Sequence, residues 1–299
     1  MEQMYMNLDK TLAIVVTYNR LTDLKVCIDA LRNQTFKKLD ILVINNGSTD
    51  GTKEWLAQQN DLNVINQENL GGAGGFYAGM EYMMNHDYEF LVMMDDDGIP
   101  EQNEVENLIA AYKTICKDNE AILNALVINK DDHSHTAFSW RRGSNRSNVI
   151  EELKKESYFN DIHPFNGTLV HRSIMERIGL IKKEMFIWGD EKEYMARAVH
   201  NGINLFTITS AIHYHPKEKG TRGNIFPFIK NPQILLKPKK MSHFYYRNEG
   251  FIYNTYPEKR NKKFAFYMAY FLRFLLHFEF KELMKFIKYF RRGKKNDYR

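Results

Sequence analysis

The sequence predicts an α/β protein with a mostly parallel central sheet. Three observations carry this expectation. Short apolar runs, Leu12-Ala13-Ile14-Val15-Val16, Ile41-Leu42-Val43-Ile44 and Phe90-Leu91-Val92-Met93-Met94, have the length and composition of strands buried on both faces. Segments with helical spacing alternate with them, and a β-α-β-α-β-α-β order calls for parallel pairing through right-handed crossovers. The 299 residues are 43% hydrophobic, which is enough for a large core and one or two domains.

Taken in order, the first strand stops at Thr17-Tyr18-Asn19-Arg20, and Leu24, Ile28 and Leu31 mark a helix. The second strand runs into Asn45-Asn46-Gly47-Ser48-Thr49-Asp50-Gly51, which is turn chemistry followed by a helix N-cap. Leu62 to Ile65 is a short third strand. Asn69-Leu70-Gly71-Gly72-Ala73-Gly74-Gly75-Phe76 then leads into a helix through Met80 and Met84. A Gly-rich helix start can bring backbone N–H groups to a diphosphate, although the spacing is neither a P-loop nor G-x-G-x-x-G. The fourth strand ends in Asp95-Asp96-Asp97, and Pro100 and Glu101 open the next helix. Adjacent carboxylates repel unless a cation sits among them, so the triplet is either a hard-metal site or a solvated acidic turn.

Beyond residues 122–128, also strand-like, the chain turns polar. Residues 130–150, with His133, His135, Arg141, Arg142 and Arg146, read as a lid or a solvated insertion. Residues 165–170 form a strand, and Ser173 caps a helix to Ile178. In Met185-Phe186-Ile187-Trp188-Gly189-Asp190-Glu191, an aromatic run stops at Gly189 and Asp190 begins a helix to His200. An acid there is either ordinary capping or a carboxylate aimed into a cleft. Residues 205–215 have strand character, and period-two alternation puts His213 and His215 on one face.

The net charge of +5 is unevenly spread. From Lys259 onward there are thirteen Lys/Arg against three Asp/Glu, a local charge of +10 that leaves about −5 elsewhere. An acidic body argues against nucleic acid and for a tail with its own partner. Residues 264–278 are too short to span a bilayer, and Arg273 interrupts them. The tail is therefore expected either to lie on an anionic leaflet or to pack as a helical hairpin on the body or another subunit. Cys27 and Cys116 show neither metal nor disulfide spacing, which fits a reducing compartment.

Six segments in order, Val16-Thr17-Tyr18-Asn19-Arg20, Asn45-Asn46-Gly47-Ser48-Thr49-Asp50, Asn69-x-Gly71-Gly72, Asp95-Asp96-Asp97, Trp188-Gly189-Asp190-Glu191 and His213-x-His215, resemble the inverting family 2 glycosyltransferases of the GT-A fold. The glycine stretch, the triple Asp and Trp-Gly-Asp-Glu look most like bacterial galactofuranosyltransferases. Rhamnosyltransferases share much of the pattern, including an element like Tyr245-Tyr246-Arg247-Asn248.

The resemblance implies a transferase domain over residues 1–250, with a donor half at about 10–128 and an acceptor half at about 160–250. Residues 251–299 are then a basic, aromatic membrane-association segment. It implies that Thr17, Tyr18, Asn19, Arg20, Asn46, Asn69, Gly71, Gly72, Asp95 and Asp96 bind the nucleotide sugar. Asp97, with Asp95 and either His213 or His215, would hold Mn2+ or Mg2+. Asp190 is implied as the general base, with Glu191 the competing candidate, and Trp188, Asn166 and Gly167 as acceptor contacts. The donor implied is UDP-galactofuranose, with dTDP-rhamnose or another hexose donor as the alternative. The acceptor is a lipid-linked surface glycan at the inner face of the cell membrane, extended by one or few residues. A homo-oligomer is compatible with this reading. A sugar-nucleotide-binding scaffold of the same fold is the rival of a different class.

Overall fold

A computed structural model of the protein describes residues 9–116, 120–140, 146–218 and 220–298. The apolar runs become β1 (Thr11–Thr17), β2 (Leu39–Asn45), β3 (Asn63–Asn66) and β4 (Phe90–Asp95). Between them lie α1 (Leu21–Arg32), α2 (Thr52–Leu56) and α3 (Gly71–Met84). There follow β5 (Ile99–Pro100), α4 (Glu104–Ile115), β6 (Ala121–Asn129), β7 (Asp132–Thr136), α5 (Ile150–Leu153), β8 (Tyr158–Phe159) and β9 (Asn166–His171). The chain continues through α6 (Arg172–Ile178), α7 (Asp190–His200), β10 (Asn204–His215), β11 (Thr221–Asn224) and β12 (Gln233–Leu236). It ends in α8 (Ser242–Thr255), α9 (Pro257–Leu276) and α10 (Phe280–Lys294).

The chain divides into two compact units, one of Met1–Lys183 with Asn201–Glu218 and one of Glu184–His200 with Lys219–Arg299. In the first, the sheet runs in the order β3-β2-β1-β4-β9-β6-β10-β5. The long ladders are parallel, β1 with β2 and β4, β2 with β3, and β6 with β10. β9 runs antiparallel between β4 and β6. Every residue of β1 is buried, as expected of a central strand covered on both faces. Its core joins Ala13, Val15, Leu24, Ile28, Val43, Val92 and Leu123.

The second unit differs from the expected boundary at residue 250. α8 runs through that position, and its Tyr246 and Tyr253 share a core with Tyr270, Phe274, Leu283, Phe286 and Phe290 of α9 and α10. The aromatic tail thus forms much of this unit's interior, because rings of that size are most stable packed on one another. α9 and α10 form a helical hairpin packed on α8. Among the described residues no helix is long and apolar enough to cross a membrane.

The segment expected as a lid or a solvated insertion carries regular structure in its described residues. β7 pairs with β6, and Trp140 joins a small core with Leu126, Ile150 and Phe159. Arg146 lies over the Phe159 ring and bonds Glu156 at 3.0 Å, so its role is structural. Arg141 and Arg142 lie outside the described residues.

Candidate functional site

In the first unit the chain leaves β1 for β2 and β3 on one side, and returns to β4 on the other. The carboxyl ends at such a switch are where an open α/β sheet takes ligands. Register sets Asp95 beside Val16, and Asn45 beside Thr17. Asp95 is thus the last strand residue, half-buried, while Asp96 and Asp97 enter a turn closed by the Gly98 N–H donating to the Asp95 carbonyl at 3.2 Å.

The carboxylates differ in environment. Asp96 is buried and accepts the Thr17 hydroxyl at 2.7 Å, and burial raises its pKa to about 6. Asp97 has both oxygens engaged. His215 Nε2 lies 3.2 Å from Oδ1, and Arg20 Nη1 donates to Oδ2. Burial alone would raise the Asp97 pKa, but these two partners hold it well below the usual range. His215 Nδ1 donates to the Pro216 carbonyl at 2.6 Å, which directs Nε2 to Asp97. Burial lowers the imidazole pKa and the Asp97 carboxylate more than offsets this, leaving it raised.

Of the two candidate histidines, the fold brings His215 to Asp97 and turns His213 elsewhere. His213 is fully buried, and its Nδ1 donates to Glu104 Oε2 at 3.0 Å. Its Nε2 has no partner and faces Gly98, where a Cβ would lie 2.3 Å away. Gly167 closes on the same pair, since a Cβ there would meet Glu104 Oε1 at 2.4 Å and its φ is +68°. Gly167, expected on the acceptor side, is thus required as glycine by interior packing. Asn166 is buried beside it, donating to the Pro164 carbonyl at 3.0 Å with Oδ1 unpartnered.

Asp97 and His215 provide one hard oxygen and one imidazole nitrogen at this strand mouth. That donor set fits Mg2+ or Mn2+ where substrate phosphates and water supply the other oxygens. Among the described residues no group of three or more His, Cys, Asp or Glu side chains is disposed to hold a metal by itself.

The turn residues have specific tasks. Asn46 is buried, and its amide donates to the Gly71 carbonyl (2.9 Å) and to Asn69 Oδ1 (3.5 Å). Its oxygen accepts Gln67 Nε2 (2.9 Å) and the Leu70 N–H (3.1 Å). All four bonds an amide can make are used, so Asn46, expected among the donor-binding residues, holds the 67–71 loop. Asn69 Oδ1 accepts the Gly71 N–H at 2.9 Å, shaping the start of α3. Gly75 is pressed onto β1, where a Cβ would lie 2.4 Å from Val16, whereas Gly72 has nothing within 4 Å of that position. Asn19, with φ +55°, accepts the Thr49 N–H at 2.7 Å and ties the first turn to the second. Tyr18 is 48% exposed beside them.

In the second unit, Asp190 is buried at the first position of α7. The loop before it is bent through positive φ at Phe186 (65°), Trp188 (58°) and Gly189 (112°). Such geometry persists only when its surroundings hold it. Asn248, fully buried on α8, supplies the hold, with Nδ2 donating to the carbonyls of Met185 (2.9 Å), Ile187 (3.0 Å) and Trp188 (2.9 Å). Arg247 Nη2 donates to the Glu184 carbonyl at 2.8 Å. Glu191, the competing base, accepts the Gly189 N–H at 3.1 Å and so braces the same loop. The Lys237 ammonium lies 4.8 Å from the Trp188 ring centre.

The family model described as Glycosyl transferase family 2 matches residues 12–178. The chain belongs to glycosyltransferase family 2. A galactofuranosyltransferase, GlfT1, of Mycobacterium tuberculosis is 30% identical over 253 residues, covering 82% of each protein. Its namesake in Mycolicibacterium smegmatis is 29% identical over 80% of this chain and 82% of its own. In fold, the transferase is similar to residues 1–349 of TarS from S. aureus, with a TM-score of 0.59 over 95% of this chain and 80% of that one at 14% identity. It is also similar to the mannosyltransferase PcManGT of Pyrobaculum calidifontis, solved with GDP-Man and Mn2+, with a TM-score of 0.51 over 70% of this chain and 57% of that one at 19% identity.

The structure adds Glu104, Arg247 and Asn248 to the candidate residues. Arg247 and Asn248 were visible as a family-like element, but α8 around them carries no strong helical signal. Nothing in the sequence pairs Glu104 with His213, 109 positions apart.

Proposed function

We propose that this transferase moves galactofuranose from UDP-galactofuranose to a hydroxyl of a lipid-linked surface glycan, with inversion, at the inner face of the cell membrane. The observation that carries the reading is Asp97, a carboxylate that draws Arg20 and His215 at the ligand-taking end of the sheet. The similarity to galactofuranosyltransferases along most of the chain supports the choice of sugar.

Asp97 and His215 would hold Mn2+ or Mg2+, which when bound would neutralise charge on the departing diphosphate. Thr17 and Asp96 position the nucleotide, and the α3 N-terminus around Gly72 offers N–H groups to its phosphates. Asp190 takes the proton of the acceptor hydroxyl as that oxygen bonds the anomeric carbon. The bond from that carbon to UDP breaks, and its electron pair leaves with UDP. Attack from the opposite face inverts the anomer. Trp188 offers the acceptor sugar a flat apolar face.

Turnover of UDP-galactofuranose, dTDP-rhamnose and UDP-hexopyranoses with a synthetic lipid-linked acceptor, with Mn2+, Mg2+ or EDTA, tests the proposal. Product from UDP-galactofuranose that disappears with EDTA is the expected result. Turnover with dTDP-rhamnose alone would replace the donor assignment, and full activity in EDTA would remove the metal.

A further inference from the structure

We infer that the turn joining α9 and α10 is an aromatic wedge that inserts into an anionic lipid surface. The inference deepens the membrane location proposed above and rests on it, but it moves the contact from the whole tail to one turn.

Most of the tail's rings are unavailable to a membrane, because Tyr270, Phe274, Phe286 and Phe290 are interior. Apart from Phe264 near the start of α9, 76% exposed, what remains outside is clustered at the turn. Phe278 is 78% exposed, Met284 65% and Phe280 53%, with Leu275 at the edge. The rings of Phe278 and Phe280 lie edge to face with centroids 6.2 Å apart. Phe280 and Met284 are one helical turn apart and so share a face of α10.

Phe278 sits where a phenylalanine is least expected. The Glu279 N–H bonds back to the Phe274 carbonyl at 2.8 Å, and Phe278 has φ +57°. This is the closing position of a helix, where glycine or asparagine meets the left-handed backbone at lower cost. Here a large apolar ring occupies it and points to solvent, so folding alone gives no reason for the residue.

The charge around the wedge selects its partner. Lys239, Lys240, Lys281 and Lys288 are exposed. Lys239 is tied to the turn through Glu279 at 2.7 Å, and Lys285 bonds the Lys239 carbonyl at 2.6 Å. The nearby acids are turned inward or neutralised. Glu279 also meets Arg273 at 3.0 Å, and Glu282 is buried against Ser242, Tyr246 and Lys285. Apolar side chains ringed by lysines suit an anionic lipid surface, where rings enter the headgroup boundary and ammonium groups meet phosphates. A second copy of the chain would bring lysine against lysine, which disfavours self-association through this face.

Flotation of the full-length protein with phosphatidylcholine vesicles, with and without phosphatidylglycerol, tests the wedge. Wild-type protein should float with the anionic vesicles and be released by high salt. Phe278→Asn with Phe280→Ser should lower binding about tenfold or more, with the melting temperature kept because asparagine tolerates the left-handed backbone. Lys281→Glu with Lys288→Glu should also release the protein. If wild-type protein floats and the aromatic variant floats equally well, the wedge is wrong while the membrane location stands. If wild-type protein binds neither vesicle, both fall. A concentration-dependent dimer that the aromatic variant abolishes, without vesicle binding, would assign the face to a second copy and overturn the inference.

Discussion

The two units hold their candidate residues in different ways. In the first, strand register carries Thr17, Asp95 and their neighbours to one edge of a buried sheet. Each ladder bond there is repeated along the strand, so no single side chain sets the arrangement. In the second, Trp188 and Asp190 follow an irregular loop whose carbonyls converge on one amide, that of Asn248. A site seated by register tolerates change around it. A site seated by one buried side chain fails when that side chain changes.

The largest expected effect tests the chemistry assigned to the second unit. Asp190→Ala should lower transfer by about 10²–10⁴-fold, the range of a lost general base, while UDP affinity measured by calorimetry stays unchanged. Loss of UDP binding would return Asp190 to a structural role. The first unit has a counterpart in Asp97→Ala, which should remove the response of rate to Mn2+ or Mg2+. The accompanying loss is about a thousandfold, from several kcal/mol of charge stabilisation. A variant still stimulated by metal would refute that assignment.

Asn248→Asp tests the contrast between the units directly. The substitution keeps the shape but faces an oxygen to three carbonyls. Misplacement of the loop by about 1 Å costs on the order of 10²-fold in kcat, and UDP affinity should not move. Protonation of the new carboxyl restores one donor, so the variant should recover part of its rate as pH falls while wild-type protein does not. Equal rates for variant and wild type would show that the loop holds itself. The smallest effect belongs to the glycines of α3. Gly75→Ala should cost about 1–3 kcal/mol in unfolding experiments, because its Cβ overpacks Val16. Gly72→Ala should leave the melting temperature unchanged or raised, since nothing lies within 4 Å of its Cβ.

Legibility in the sequence followed the same division. The first four strands and their helices appeared near their expected places because continuous apolar runs and helical spacing are local signals. α8 was not anticipated, since its buried face mixes Tyr246, Arg247, Asn248 and Glu249, polar groups that only the fold provides with partners. The pairing of β7 with β6 was not legible either, because a polar strand edged with histidines resembles a solvated loop. Asn46 was expected among the donor-binding residues. Its four bonds to the 67–71 loop depend on residues more than twenty positions away.

By itself the sequence determined the α/β class, the acid triplet at a strand end, the aspartate at a helix start and the basic aromatic tail, because each is written in adjacent residues. Only the tertiary structure decided that His215 rather than His213 meets Asp97, that Glu104 takes the other histidine, and that Asn248 pins the loop before Asp190. It also decided which rings of the tail are interior and which stand at its turn. The reason is common to all of these. Residue type fixes what a group can bond to, but burial and distance select the partner, and those arise from segments that are far apart in the chain and adjacent only once it has folded.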